Sequence, residues 1–318
     1  MSLLPVEAAH LLAVRPAERR WLIDGLWAEE AVGIVGGEPK CCKSFLALDM
    51  AVAVASGTPC LRRFAVARPG RVLLFAAEDA LHVVRHRLDG ICSAAGVELA
   101  DIDVQVITAP SVRLDLEADR KSLTETVAAL KPRLLILDPF VRLHRIDENV
   151  SGEVAPLLAF LRELQRRHQL AVVVVHHARK GAGKARAGQA LRGSSEFHAW
   201  GDSNLYLRRT GEQLTLAVEQ RAAASTSGIA MRLRADGEVV ALETIAEPAS
   251  IEVSEPEPLP AVEERVEQIL TAATAPMTVA EIRGLCRVRN ATLQAALAAL
   301  AAAGRVQRSA IGYAITKR

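Results

Sequence analysis

Residues 32–44 read VGIVGGEPKCCKS, and an apolar stretch, FLALDMAVAVA, continues from them through residue 55. The β-branched run at 32–35 has the composition of a buried strand, and the stretch from Lys43 has the length and apolar content of a helix. Between them lies a turn with two glycines, Gly36 and Gly37. A strand, a glycine-containing loop and a helix in that order aim backbone N–H groups and a helix N-terminus at one point, which makes an anion site. From Gly37 the spacing matches the phosphate-loop pattern G-x-x-x-x-G-K-[ST], with Lys43 and Ser44 in its last two places. The ammonium of Lys43 suits the β- and γ-oxygens of ATP, and the hydroxyl of Ser44 suits Mg2+. The candidate cradle is thus Gly37, Glu38, Pro39, Lys40, Cys41, Cys42, Lys43, Ser44 and Phe45. Cys42 breaks the pattern. It stands where the second glycine is expected, and its Cβ projects where backbone and phosphate approach closely.

Outward from this unit, residues 30–177 alternate short apolar runs with longer helical patterns, which indicates an α/β fold with a mostly parallel central sheet. Further strands are expected at 71–76, 104–107, 134–137 and 170–175, and helices at 43–55, 79–95, 118–130 and 154–168. In open sheets of this kind ligands gather at the carboxyl ends of the strands. Beyond residue 200 the pattern becomes short alternating runs at 203–208, 213–219, 229–234 and 238–242, expected as antiparallel strands extending the sheet. The expected organisation is a segment 1–30 leading into the core, an ATPase domain 31–244, a linker 245–260 and a small domain 261–318. The linker carries four prolines and four glutamates between residues 247 and 260.

The strand ends supply the remaining chemistry. LLILD ends in Asp138, a carboxylate suited to Mg2+ and its water shell from a strand neighbouring the phosphate loop. LLFAAED ends in Glu78, the general-base candidate that would polarise an attacking water, and Asp79, which would cap the next helix. VVVV delivers His176 and His177, of which only one can face the site because neighbouring residues on a strand point to opposite sides.

Composition sets the outer limits. Of 318 residues, 50% are apolar and 3% aromatic, and the formal charge is +2, so a generally polybasic protein is excluded and any nucleic-acid surface must be local. Five cysteines without a C-x-x-C fit neither a disulfide framework nor a zinc site. With no apolar run long enough to span a bilayer, the expectation is a cytoplasmic protein with no membrane contact.

The stretches GGEPKCCKSFLALDMAVAVASG, LLFAAEDALHVVRHRL, LLILDP, VVVVHHARKG and LRGSSE together resemble the RepA-like branch of the RecA-fold AAA-family ATPases, which includes hexameric replicative helicases. The likeness spans about residues 20–235. It implies that Lys43 and Ser44 bind phosphate and Mg2+, that Asp138 supports the metal, that Glu78 activates water, and that His177 senses the γ-phosphate. It also implies an arginine supplied by a neighbouring subunit. Arg221, in the run VEQR, resembles the finger of related rings but follows Glu219 where those have lysine; Arg192 and the pair Arg208 and Arg209 are rivals.

Directly after the histidines, ARKGAGKARAGQ carries Arg179, Lys180, Lys184 and Arg186 on a Gly/Ala backbone. In RecA-like rings the corresponding loop faces the central channel, which implies a grip on single-stranded DNA by these four cations. Residues 261–318 hold eight basic residues against four Glu and a pattern of helices followed by a hairpin around Gly312. Thr278 and Asn290 would be N-caps and Gly304 a stop. This segment resembles a winged helix-turn-helix, with an alanine-rich second helix that fits protein docking as well as double-stranded DNA. The expected activity is an ATP-dependent helicase or translocase acting as a homohexamer; an ATP-gated DNA-binding regulator or loader is the alternative.

Overall fold

The computed structural model describes residues 20–177, 196–211, 213–236, 239–245, 262–273, 275–286, 290–309 and 312–316. Two compact units divide the chain, Met1–Ala246 and Glu247–Arg318.

In the first unit a short hairpin of β1 (Trp21–Ile23) and β2 (Trp27–Ala28) precedes β3 (Val32–Gly37) and α1 (Lys43–Ser56). There follow β4 (Val72–Ala76), α2 (Leu81–Ala95), β5 (Val104–Val106), α3 (Glu117–Leu130), β6 (Leu134–Asp138), α4 (Ser151–His168), β7 (Ala171–His177) and α5 (Glu196–Trp200). The unit ends with β8 (Ser203–Thr210), β9 (Gln213–Gln220), β10 (Thr226–Asp236) and β11 (Val239–Thr244). Strands β3 to β11 form one nine-stranded sheet in the order β11-β10-β9-β8-β3-β7-β6-β4-β5. The hairpin does more than lead into the core, since Leu22, Ile23, Leu26 and Trp27 are buried in it.

Two expectations are corrected here. The run at 203–208 does not begin an antiparallel extension: β8 lies parallel to β3, with Val35 opposite Leu205, and antiparallel pairing starts only between β8 and β9. Strand composition does not encode that sign, but close packing does act on it. A Cβ on Gly33 would meet the Ser203 carbonyl oxygen at 1.7 Å, so the approach of β8 to β3 requires glycine there. Secondly, the strand bearing Asp138 is not the neighbour of the phosphate-loop strand, because β7 lies between β3 and β6.

The four central parallel strands are apolar on both sides, and their two-residue period sorts the side chains into two cores. Val35, Val72, Leu74, Leu134, Ile136, Val173 and Val175 pack with α1 and α2, whereas Ile34, Leu73, Phe75, Leu135, Leu137, Val172 and Val174 pack with α3 and α4. Each such side chain contributes roughly 1.5–3 kcal/mol of burial, so a one-residue slip in any strand would forfeit several of them at once. Helix α1 is buried along most of its length, and its single carboxylate, Asp49, is held by the Leu61 N–H at 2.6 Å and by Arg62.

The second unit comprises α6 (Val262–Ala272), α7 (Val279–Cys286), α8 (Asn290–Ala302) and an antiparallel hairpin of β12 (Val306–Arg308) and β13 (Tyr313–Ile315). Its core joins Val266 and Leu270 to Ile282, Cys286, Leu293, Leu297, Leu300 and Val306. Thr278 and Glu281 form a reciprocal cap: Glu281 Oε2 accepts the Thr278 N–H at 2.7 Å, and Thr278 Oγ1 accepts the Glu281 N–H at 3.4 Å. Among the described residues no helix is long and apolar enough to cross a membrane.

Candidate functional site

A cleft of about 230 Å³ opens at the carboxyl ends of β3, β4, β6 and β7, lined by Lys40, Cys42, Lys43, Ser44, Phe45, Glu78, Arg87, Asp138, Val175 and His177. Its composition follows from strand parity. Asp138 continues the side of β6 that carries Leu134 and Ile136, and His177 continues the side of β7 that carries Val173 and Val175. Both therefore emerge on the α1 side of the sheet, where the loop after β3 delivers Lys43 and Ser44. His176, of opposite parity, goes to the other core.

The loop is bent by backbone as much as by sequence. Gly37 has φ 154°, and a Cβ there would meet the Leu207 carbonyl oxygen at 2.3 Å. Lys40 and Cys42 both sit in the left-handed region, at φ 64° and 65°. Cys42, the residue just before α1, thus occupies a conformation that favours glycine. Its side chain lines the cleft, and its Sγ lies 3.3 Å from a guanidinium nitrogen of Arg209. Cys41 is fully buried, its Sγ 3.8 Å from Lys43 Nζ, and burial pushes its thiol up. Glu38 contributes its carbonyl, which accepts a hydrogen bond from Lys43 Nζ at 2.8 Å, and Pro39 is exposed beside it.

Electrostatics in the cleft favour an incoming cation beside Asp138 and an anion beside Lys43. Lys43 is only 5% exposed. Burial pushes the Asp138 carboxyl up to about 6, against the pull of the Ser44 hydroxyl hydrogen-bonded to it and of Lys43. A desolvated carboxylate paired with a hydroxyl is a hard oxygen donor set, which fits Mg2+. His177 is half-buried with an unpartnered Nδ1, and burial first, then Lys43, holds its pKa below the usual histidine range, so a neutral imidazole faces the cleft. An anion between Lys43 and that ring would satisfy both. The donors present therefore suit a magnesium-bound phosphate group.

Several partners were not foreseen from sequence. Arg87, from the second turn of α2, lines the cleft with its guanidinium 5.2 Å from the Phe45 ring centroid and pairs with Asp79. Asp79 therefore does not cap α2, which begins two residues later after Ala80. Arg142, four residues past Asp138, donates from Nε to Glu78 Oε1 at 2.8 Å. His176 is buried, with Nε2 3.3 Å from one oxygen of Glu148, whose other oxygen lies 3.2 Å from His144 Nε2. Burial pushes the Glu148 carboxyl up, but the two imidazoles outweigh it and hold it down at about 2. The single sequence signal for these residues was the alternation that sent His176 away from His177.

Arg221 does not line the cleft of its own chain. It follows β9, donates to the Ala199 carbonyl, and lies 3.3 Å from Asp202 Oδ1. Of its rivals, Arg209 lies against Cys42 within the same chain, and Arg192 falls outside the described residues. Arg179, Lys180, Lys184 and Arg186 also fall outside them.

A family model described as an AAA domain matches residues 1–183. Among solved structures, the crystal structure of the RadB recombinase matches with a TM-score of 0.50 at 16% identity, covering 68% of this chain and 91% of that one. The fold is the RecA-like P-loop fold, with the mostly parallel sheet expected from sequence.

Proposed function

This chain belongs to the AAA domain family, and on that premise we propose that it is an ATP-dependent DNA motor, a helicase or translocase of the RepA-like kind, acting in the cytoplasm as a homohexameric ring. The observation that carries the reading is the convergence of Lys43, Ser44, Glu78, Asp138 and His177 on one cleft. In this proposal Lys43 exchanges the Glu38 carbonyl for the β- and γ-oxygens of ATP, and the loop from Gly37 to Phe45 supplies backbone N–H groups. Ser44 and Asp138 hold Mg2+, whose contribution is to neutralise charge on the phosphate oxygens. Glu78 takes the proton of the attacking water, and His177 donates a hydrogen bond toward the γ-phosphate. Arg221 acts on the neighbouring subunit's site, which accords with its absence from the cleft of its own chain.

The DNA half of the proposal rests on position and charge. Arg179, Lys180, Lys184 and Arg186 follow directly on β7, so the strand that presents His177 leads into the segment that grips single-stranded DNA. The linker 245–260 tethers a winged helix-turn-helix at 261–318, with α7 and α8 as its helix pair and β12 and β13 as its wing, for duplex DNA or partner docking. Cys42 favours a second reading, an ATP-gated DNA-binding regulator or loader with slow turnover, because a thiol-bearing side chain lines the phosphate cradle.

One experiment separates the two: ATP turnover with and without single-stranded DNA, measured beside strand displacement on a forked duplex. The motor reading expects DNA-stimulated turnover with unwinding, both lost in Lys43→Ala. Nucleotide-dependent DNA binding without turnover selects the regulator, and turnover unchanged in Lys43→Ala removes the assignment of the cradle.

A further inference from the structure

We propose that Arg142 is a positioning residue that restrains Glu78, so that water activation at this cleft is braked from within the subunit. The proposal rests on the reading of Glu78 as general base. Glu78 lines the cleft and Arg142 does not, so the guanidinium reaches the carboxylate from the rim, Nε to Oε1 at 2.8 Å. Of the three cations that line the cleft, Lys43 is engaged on the Glu38 carbonyl and Arg87 on Asp79, and Lys40 makes no contact with Glu78. Arg142 ends a 3-10 turn, Phe140–Arg142, that starts two residues after Asp138 and is anchored by the fully buried Phe140. Its placement is therefore fixed by the same segment that presents the proposed metal ligand.

The chemistry is direct. A general base must offer a lone pair to the water and gain by accepting the proton. A guanidinium on Oε1 at 2.8 Å occupies one lone pair and directs that oxygen away from a water in the cleft, so the paired carboxylate is less available to it. The pair is open to solvent, with side chains 61% and 43% exposed. Pairs of that kind favour the bound form by a factor of about 1.4 to 5. If only unpaired Glu78 acts, the competent fraction is the reciprocal of one plus that factor, and removing Arg142 raises turnover about two- to sixfold.

The test is steady-state ATP turnover of the full chain without nucleic acid for wild type, Arg142→Ala, Arg142→Gln, Arg142→Lys, Glu78→Gln and Glu78→Gln combined with Arg142→Ala. The expected result is a two- to sixfold rise in kcat for the alanine and glutamine variants, with KM within twofold of wild type. The lysine variant retains a cation and stays nearer wild type, and the double variant matches Glu78→Gln alone. Unchanged kcat in the alanine and glutamine variants overturns the brake. A fall in kcat or a rise in KM does so too, and makes Arg142 a substrate-binding group. Equal acceleration in the Glu78→Gln background shows that Arg142 does not act through Glu78. Wild-type turnover in Glu78→Gln is a separate failure, that of the general-base reading itself, and takes the brake with it.

Discussion

Replacing Cys42 by glycine tests how the phosphate loop is built. The residue sits at φ 65°, ψ 28°, just before α1. An L-residue in that region costs about 1–2 kcal/mol, a cost glycine does not bear. Glycine also widens the unfolded ensemble, which takes back about 0.4–1 kcal/mol. The thiol's contact with Arg209 is solvent-exposed and contributes little either way. The balance is a gain of up to about 1.5 kcal/mol for Cys42→Gly. Alanine keeps the backbone cost and loses the thiol, so Cys42→Ala gains nothing, and valine, branched at Cβ, falls below wild type. Urea unfolding of the four proteins gives the order Gly above Cys, Cys level with Ala, and Val lowest. Because the Cys42 side chain lines the cleft, titration with a fluorescent adenine nucleotide and Mg2+ should show tighter binding in Cys42→Gly as well. A glycine variant less stable than the alanine variant would refute the left-handed conformation at this position, and weaker nucleotide binding in the glycine variant would refute the steric argument.

Three further outcomes follow from the geometry. Gly33→Ala places a methyl 1.7 Å from the Ser203 carbonyl oxygen and should cost about 3 kcal/mol or more by urea unfolding; a wild-type midpoint would contradict the parallel packing of β8 on β3. Glu148 has its folded pKa depressed from 4.5 to about 2, so its stabilisation is fully present above about pH 4.5 and is lost as pH falls through 2. The contribution is at most about 3 kcal/mol. Glu148→Gln should therefore lower stability near neutrality and flatten the stability profile between pH 4.5 and 2, whereas a profile parallel to wild type would remove the imidazole pairing. Finally, if Arg179, Lys180, Lys184 and Arg186 each meet one phosphate, neutralising all four should reduce the log–log salt slope of single-strand binding by about 2.8; an unchanged slope places the contacts elsewhere.

What could be read from sequence was whatever depends on local order along the chain. Strand, glycine turn, Lys-Ser and helix are contiguous, so β3 and α1 were legible together, and so was the parity that divides His176 from His177. Pairing sign and neighbour order depend on contacts between distant segments. The parallel docking of β8 on β3 and the insertion of β7 between β3 and β6 therefore had no local signature. Arg87 and Arg142 were missed for a related reason. Arg87 reaches the cleft, and Arg142 reaches Glu78, by the length of its own side chain from an element whose pattern reports only burial, and arginines on such surfaces are common.

The segment 138–148 makes the site more than a loop and a metal ligand. Asp138 faces Ser44, Arg142 holds Glu78, and His144 and Glu148 close on His176, which precedes His177 on β7. Phe140 ties these contacts together: its ring lies 4.6 Å from His144 and 5.1 Å from Phe197, which in turn packs 4.3 Å from His176. Close-packed interiors of this kind have low compressibility. Residues 138–148 thus carry contacts to Ser44, Glu78 and His176. Asp138, Glu78 and His177 line one cleft, although β6, the residues after β4, and β7 contribute them separately. On β7 the residue that meets Glu148, His176, is directly followed by the cleft-lining His177.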